Sequence, residues 1–278
     1  MTRIATIARD FTDSPNMSES DAAILAAIAD ELKAMGTEIV TLDNEEIQFG
    51  NIDAVCHMSR NSKVLEMLAR AEEHGIRTFN RSSAVKQCSR ETFTSILHSN
   101  GIPQAKFHTI YNLEQLNGLN YPAWIKKAEG WSCHKDDVCY AANAKEATDV
   151  VLSMKERGIC NIIHAEHIKG DIIKFYGVGN EYFRYCYPDQ GKSKFGLEKM
   201  NGEPHHYPFD TAKMEETARN AAKAVGLEIY GGDCIVTAEG DIYIIDLNDF
   251  PSFSAIRKEA AKEIAIYIKR NIEEETMI

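Results

Sequence analysis

Residues 231–249 read GGDCIVTAEGDIYIIDLND, in which two apolar, β-branched runs flank a turn over residues 238–241. This pattern predicts an antiparallel β-hairpin. Asp233 opens the first strand, and Asp246 and Asn248 stand two apart on the second. Because residues i and i+2 of a strand face the same side, these two can direct oxygens to one place, and the partner strand can add Asp233. Such oxygen ligands suit Mg2+, although polar residues on the solvent face of a hairpin would give the same pattern.

Two charged side chains upstream stand in otherwise apolar surroundings. Lys126 lies in the apolar strand that follows Pro122, and a half-buried lysine needs an anionic partner such as a phosphate. Glu166 interrupts the apolar run over residues 161–168. Backbone groups there could bind an adenine edge, and Asp171 could accept hydrogen bonds from ribose hydroxyls. Both residues also have a purely structural interpretation. Lys126 could simply lie at a strand end, and Glu166 could end its strand in solvent.

The first 85 residues alternate between strand and helix patterns, which predicts a parallel sheet covered by helices. Ligands meet such sheets at the carboxyl ends of the strands. Arg9, Arg60 and Arg81 each follow a predicted strand end, so they could contact an anionic substrate, with solvated surface arginines as the equal alternative. The predicted strands cover residues 3–8, 37–43, 52–59 and 76–80, and the predicted helices cover residues 20–35 and 62–74.

The pattern changes after residue 85, and we predict a second domain over residues 86–278. Its small lobe covers about 104–168 and its C-terminal lobe about 169–278. Residues 186–210 are polar and rich in Gly and Pro, without periodicity, which predicts a long loop that acts as a lid or contacts substrate. Helices are predicted over residues 145–157, 212–225 and 254–271.

Composition limits the classes of partner. The chain has 278 residues, 44% hydrophobic, and a formal net charge of -11, which argues against binding nucleic acid through its phosphates. It opens without a signal-peptide pattern and contains no run of the roughly 18 apolar residues that a membrane span needs. We therefore expect a cytoplasmic protein with small-molecule partners. Seven scattered cysteines without a CxxC pair indicate reduced thiols.

Taken in this order, the motifs resemble the ATP-grasp superfamily, in particular the branch of glutamate ligases, glutathione synthetases and inositol trisphosphate kinases. The resemblance spans most of the chain and implies an α/β (α+β) fold, with an N-terminal parallel-sheet domain before the ATP-grasp domain. It rests on SRETFTSILHSNGIP (89–103), YPAWIKKAEG (121–130), HAEHIKGD (164–171), IIKFYGVGNEYFRY (172–185) and GGDCIVTAEGDIYIIDLNDFPSF (231–253).

The resemblance implies a site for ATP and for Mg2+, with Mn2+ as an alternative ion. Arg90 stands where many members have a lysine that contacts the nucleotide, and Lys126 would hold the phosphates. The terminal phosphate would meet Lys174, with Arg184 beyond it. The remaining residues would frame adenine (Glu166, His167 and Ile168), ribose (Asp171) and metal (Asp233, Asp246 and Asn248), with Ser252 near the acceptor or the phosphates.

Two departures from the family pattern matter. Where many members have a Gly-rich loop over the phosphates, this chain has GWSCHKDDV (130–138), so Ser132 and His134 would contact phosphate through their side chains. The acid of the last motif is Asp246, where many ligases have Glu, and IDLNDFP is nearer to the inositol kinases.

The resemblance implies a carboxylate–amine ligase that works through an acylphosphate on a small molecule or peptide. A small-molecule kinase that phosphorylates a hydroxyl group is the alternative. A nucleotide-binding protein without catalysis is the third reading, and the complete trio of metal ligands argues against it.

Overall fold

A computed structural model describes residues 2–14, 17–43, 49–188 and 200–276. The described residues form three four-stranded sheets. The first is parallel throughout, in the order β2-β1-β3-β4, as the sequence predicted. Its strands are β1 (Arg3–Ile7), β2 (Glu38–Leu42), β3 (Ala54–His57) and β4 (Arg77–Phe79).

Four helices belong to this part of the chain: α1 (Ser18–Ala34), α2 (Ser62–Glu73), α3 (Ser82–Gln87) and α4 (Arg90–Ser99). Helices α1 and α2 pack against the parallel sheet, whereas α4 packs against the third sheet and its helix. Helix α2 begins where the Asn61 side chain accepts hydrogen bonds from the amides of Lys63 and Val64, at 3.0 and 3.4 Å. Such a cap satisfies amides that have no partner within the helix. The predicted domain boundary at residues 85–86 falls within α3 and stays a prediction.

The second sheet is antiparallel, in the order β5-β8-β6-β7. Helix α5 (Ala144–Glu156) buries Ala147, Val151 and Met154 against it. This spacing of four and three residues is the apolar stripe of an amphipathic helix. The strands are β5 (Phe107–Ile110), β6 (Ala123–Lys127), β7 (Val138–Ala141) and β8 (Ile162–Glu166).

The third sheet, also antiparallel, has the order β10-β9-β11-β12 and contains the predicted hairpin. The turn over residues 238–241 is confirmed, with Thr237 N donating to Asp241 O at 2.9 Å. The strands are β9 (Asp171–Val178), β10 (Tyr182–Cys186), β11 (Ile229–Val236) and β12 (Ile242–Asp249), and the helices are α6 (Thr211–Val225) and α7 (Arg257–Thr276).

The stretch over residues 172–185, one of the motifs that carry the resemblance, forms two antiparallel strands that turn at Gly179, whose φ is +53°. Glycine adopts this backbone conformation at little cost. Of the predicted loop over residues 186–210, residues 189–199 lie outside the described part of the chain, so its role as a lid stays a prediction. Within the described ranges, no helix is both long and apolar enough to cross a membrane.

Candidate active site

A cavity of about 850 Å³ lies between the second and third sheets. Strands β6 and β8 form one wall, and β9, β11 and β12 form the other. The sequence predicted sixteen site residues, and eleven of them line this cavity. Residues up to 192 positions apart in sequence therefore meet in one place. They are Arg60, Arg90, Lys126, Ser132, Glu166, Ile168, Lys174, Asp233, Asp246, Asn248 and Ser252.

The hairpin brings the three predicted metal ligands together. Asp233 and Asp246 are direct partners in the β11–β12 register. The Asn248 amide nitrogen donates to Asp246 Oδ2 at 3.2 Å. Lys174, the partner of Asp233 on β9, donates from Nζ to Asp233 Oδ1 at 2.8 Å. The carboxylates are therefore held by neighbours on the same sheet.

The chemistry of these donors fits a hard divalent cation. Two carboxylates and the side-chain oxygen of Asn248 are oxygen ligands, the kind that Mg2+ binds together with nucleotide phosphates. Among the described residues, no group of three or more His, Cys, Asp and Glu side chains is placed to hold a metal. A metal in this cavity would therefore depend on Asn248 and on ligands from substrate or water.

Glycines let the hairpin pack closely at this point. A Cβ atom on Gly232 would overlap the carbonyl oxygen of Asp246 and the ring of Phe175. A Cβ on Gly231 would lie 2.8 Å from Cγ of Pro251. The pair Gly231-Gly232 thus keeps β11 close to its neighbours beside the predicted metal ligands.

Three basic side chains, those of Arg90, Lys126 and Lys174, lie near the carboxylates of Asp233 and Asp246. Arg90 donates to the carbonyl of Lys127 at 3.0 Å and to Ser132 Oγ at 2.8 Å, and its Nη2 lies 3.6 Å from Asp246 Oδ1. Asp233 raises the pKa of Lys174, which keeps that side chain charged. Arg90 and Lys174 are thus both cations beside the carboxylates.

Lys126 differs from Lys174 in that its surroundings lower its pKa. Burial, reinforced by the nearby Arg90 charge, lowers the pKa of Lys126 to about 8 against the opposing effect of Asp246. Its Nζ donates to the carbonyl of Ile245 at 3.3 Å. A desolvated ammonium group with only a neutral partner is a strong site for an anionic ligand group.

The other end of the cavity is apolar, as a planar base would require. Glu166 and Ile168 line it where the chain leaves β8, and the Glu166 carboxylate accepts from Asn120 at 2.8 Å. Aromatic and aliphatic side chains complete the wall: Phe93, Ala105, Phe107, Trp124, Ile163, Ala165, Ile235 and Ile244.

Five of the predicted residues are not part of the cavity lining. Arg9 donates to the carbonyls of Asp249 and Phe250, and Arg184 donates to Glu259 at 2.6 Å. His134 accepts from the amide of Asp136, while the imidazole of His167 accepts from Trp124 Nε1 at 3.1 Å. Asp171 is buried and accepts from the amides of His205 and Tyr207, at 2.7 and 3.0 Å. Their ligand-binding roles stay predictions.

Sequence reasoning did not find Asn201. Its amide nitrogen donates to the carbonyls of Ile168 and Gly170, at 3.4 and 3.1 Å, and the residue lines the cavity. Asn201 therefore fastens the segment before α6 to the chain that leaves β8. It lies in a polar stretch without periodicity, so its sequence carries no signal for this contact.

Comparisons with known proteins bear on this arrangement. No protein-family model matches the sequence. A probable alpha-L-glutamate ligase from Vibrio atlanticus is 28% identical over 108 residues, which are 39% of this chain. The match spans only 36% of that relative's length.

Solved structures match over nearly the whole chain. The D-alanine–D-alanine ligase from Bacillus anthracis complexed with ATP has a TM-score of 0.74 at 16% identity, covering 99% of this chain and 100% of that one. The D-alanine–D-alanine ligase from Coxiella burnetii has a TM-score of 0.69 at 14% identity, covering 100% and 98%. A RimK domain ATP-grasp protein from Sphaerobacter thermophilus has a TM-score of 0.67 at 15% identity, covering 96% and 99%.

The described residues thus define a mixed α/β fold with one parallel and two antiparallel sheets, and a cavity with charged side chains at one end and an apolar wall at the other. The chain has the fold of these structures, one of them an ATP-grasp protein, which confirms the predicted fold class and agrees, at the level of fold, with the resemblance inferred from its motifs.

Proposed function

We propose that this protein is an ATP- and Mg2+-dependent carboxylate–amine ligase that acts on a small molecule or peptide. The observation that carries the proposal is the meeting of Lys126, Lys174 and the Asp233–Asp246–Asn248 cluster in one cavity. Because anionic phosphates need cations and a divalent ion needs oxygen ligands, a cavity that offers both beside an apolar end suits ATP.

The protein's part in the reaction is to position and stabilise charge. A carboxylate oxygen of the acceptor would attack the terminal phosphorus of ATP, and the bond to ADP would break. Lys126 and Lys174 would offset the negative charge that spreads over the transferred group. An amine would then attack the acyl carbon, lose a proton and release phosphate, giving an amide.

The metal would be held by Asp233, Asp246 and Asn248, and when bound it supplies further positive charge at the phosphates. Arg90 is fixed by the Lys127 carbonyl and Ser132, so it can hold its guanidinium at the same end of the cavity. Ser252 and Arg60 line the cavity as well and are the candidates for contact with the acceptor. Because the proposed reaction consumes ATP, the proposal includes a cytoplasmic location for the protein.

A small-molecule kinase is the second candidate, and Asp246 favours it. The side chain is one carbon shorter than the glutamate of many ligases, and it is fixed by Asn248. In this case a hydroxyl oxygen of the acceptor would attack the terminal phosphorus and keep the phosphoryl group.

The test is ADP release with ATP and Mg2+ against pooled amino acids, peptides and polyols, with products followed by mass. Free phosphate with a new amide supports the ligase, and a stable product heavier by one phosphoryl group supports the kinase. ATP-dependent stabilisation without any turnover would reject both.

A matched pair of variants makes the test specific to the cluster. Asp246→Asn should abolish turnover and keep adenine binding, whereas Asp241→Asn, on the exposed hairpin turn, should act like the unaltered protein. Unchanged turnover in Asp246→Asn would overturn the metal assignment.

A further inference from the structure

The loop over residues 130–138, which stands where the family pattern has a Gly-rich loop, reaches across to the parallel sheet. Its Trp131 packs against the apolar cluster that β1, β3 and α2 bury, and it also lines the active-site cavity. The Arg60 guanidinium lies over the Trp131 ring, 5.0 Å from the ring centre. An aromatic side chain thus joins the loop to the N-terminal part of the chain.

Trp131 contributes a flat apolar face rather than a hydrogen bond. Its Nε1 is buried and has no hydrogen-bond partner among the described residues. A guanidinium over an aromatic ring is attracted by the negative face of the ring. The same Arg60 donates to Asp249 from Nε at 2.8 Å and from Nη2. Trp131 therefore covers a charged pair that joins the parallel sheet to β12.

The next residue, Ser132, connects the loop to the phosphate end of the cavity. Its Oγ accepts from Arg90 at 2.8 Å, and Arg90 Nη2 lies 3.6 Å from Asp246 Oδ1. Consecutive Cα atoms are held about 3.8 Å apart by the peptide unit, so Ser132 must follow any movement of the Trp131 backbone. The position of Trp131 is thereby linked to that of the Arg90 guanidinium.

The rest of the loop is fixed to its own lobe. Asp137 Oδ2 accepts from the amides of Cys133 and His134, each at 2.9 Å, and Asp137 Oδ1 accepts from Arg157 at 2.9 Å. Cys133 Sγ also lies 3.7 Å from the carbonyl of Asp13, but a thiol is a weak donor. The Trp131 side chain therefore provides the stronger contact between this loop and the N-terminal part of the chain.

We propose that Trp131 is a positioning residue for the phosphate groups of the nucleotide. Docked against the parallel sheet, it places Ser132, which holds the Arg90 guanidinium at the phosphate end of the cavity. This inference rests on the proposed function, because it takes the phosphates of ATP to lie beside Arg90. It adds that the N-terminal part of the chain contributes to ATP affinity through a loop of the neighbouring lobe.

The experiment is calorimetric titration of the full chain with ATP and Mg2+, and separately with adenosine, in the absence of any acceptor. Trp131→Ala should weaken ATP binding at least fivefold and change adenosine binding less than twofold, because Arg90 acts on phosphates. Unchanged ATP affinity, or an equal loss for both ligands, would overturn the positioning role. If the unaltered chain did not bind ATP, the proposed function would fail, and this inference with it.

Two further variants show whether the aromatic face is what matters. Trp131→Phe keeps a ring beneath Arg60 and should retain ATP affinity within about twofold. Tyr111→Ala removes an aromatic side chain that is 59% exposed and outside the cavity lining, and should have no effect. A loss in Trp131→Phe as large as in Trp131→Ala would contradict the proposal.

A fourth variant covers the case in which Trp131→Ala does not fold. Trp131→Gln then replaces it in the same titrations, because a polar side chain favours solvent over the apolar cluster and releases the loop. The same selective loss of ATP affinity is expected, and equal losses for ATP and adenosine would again overturn the proposal.

A double-mutant cycle with Ser132→Ala tests the route from Trp131 to Arg90. Ser132→Ala removes the oxygen that accepts from Arg90 and leaves the Trp131 ring in place. If Trp131 acts through Ser132, Trp131→Ala should weaken ATP binding much less in the Ser132→Ala protein than in the unaltered one. Fold losses that multiply would show that Trp131 acts independently, for instance by direct contact with the nucleotide, and would reject the positioning role.

Discussion

Arg60 donates from Nε to Asp249 Oδ1 at 2.8 Å and joins the residues after β3 to the end of β12. Both side chains are buried, at 7% and 1% exposed. Arg9 approaches the other oxygen of Asp249 at 3.6 Å, and the Arg60 guanidinium lies over Trp131, 5.0 Å from the ring centre. The parallel sheet is thereby fastened to the hairpin that carries Asp246 and Asn248.

Breaking this pair should destabilise the whole chain. Asp249→Asn leaves the buried Arg60 without its carboxylate partner, and Arg60→Met leaves the buried Asp249 with only the longer Arg9 contact; loss of one member of a buried pair costs roughly 3–5 kcal/mol. Urea unfolding should show this loss for each variant and a smaller loss for the double variant than the sum of the two. Arg3→Met removes the exposed pair with Glu38 and should cost less than about 1 kcal/mol. Additive losses would show that the pair does not act as a unit.

Nucleotide affinity should fall above pH 8 because of Lys126. The pKa of Lys126 in the ligand-free site is about 8, so the side chain is mainly charged below that pH and neutral above it. Phosphate binding favours the charged form, and binding at higher pH must take up a proton. Calorimetry from about pH 7.5 to about pH 9 should therefore show weaker ATP binding, by up to about tenfold per pH unit beyond the pKa, with proton uptake.

Lys126→Arg is the control for that measurement, because a guanidinium stays charged across this range. Its ATP affinity should be nearly flat with pH. A fall in the Lys126→Arg variant equal to that of the unaltered protein would assign the pH dependence to another group.

Lys174 should contribute far more to turnover than Arg184. Lys174 lines the cavity and is held on Asp233, whereas Arg184 is half exposed and pairs with Glu259 outside the lining. Lys174→Met should lower kcat by about 100-fold or more, as loss of one transition-state donor does. Arg184→Met should stay within about twofold, as for surface substitutions. Steady-state ADP release measures both, and equal losses would restore Arg184 to a direct role.

Gly232→Ala should destabilise the hairpin. The new methyl group would collide with the Asp246 carbonyl and the Phe175 ring, neither of which is the free end of a flexible chain. Overpacking of this kind costs about 1–3 kcal/mol. Gly50→Ala is the matched control, because a Cβ atom on Gly50 would have no neighbour within 4 Å. Thermal unfolding that is equal for the two variants would contradict the close packing seen at Gly232.

Much of this arrangement could be predicted from sequence because it depends on local periodicity. The i, i+2 spacing of Asp246 and Asn248 fixes a shared strand face. The register that the turn sets is shifted by one residue between Asp233 and Cys234, and only this irregularity, which the sequence did not indicate, brings Asp233 opposite Asp246. The buried runs of β1 and β3 likewise define the parallel sheet.

Contacts between distant segments left no such pattern. Arg60 follows a strand end in the way a substrate-binding residue would, and only the fold shows that its guanidinium also pairs with Asp249, 189 positions away. Asp249 itself lies next to Asn248 and therefore faces the opposite side of the strand, toward the buried arginines. Asn201 and the Asp171 carboxylate form their hydrogen bonds with backbone groups. Backbone groups are the same in every residue, so the sequence does not indicate which of them a side chain will contact.

Asp171 allows the sharpest distinction between a ligand-binding residue and a positioning residue. The sequence predicts a contact with ribose hydroxyls, yet both carboxylate oxygens accept hydrogen bonds from backbone amides, at His205 and Tyr207. Asp171→Ala would release the segment that Asn201 also fastens, and nucleotide affinity would fall through disorder of that wall.

Affinities for ATP and for 2'-deoxy- and 3'-deoxy-ATP separate the two roles. If Asp171 positions the segment, Asp171→Ala weakens all three nucleotides by the same factor, because none of its bonds goes to the ribose. If it binds ribose, the variant weakens ATP most and the analogue that lacks the contacted hydroxyl least. We expect the first result, since two charge-assisted bonds to backbone amides already occupy the carboxylate.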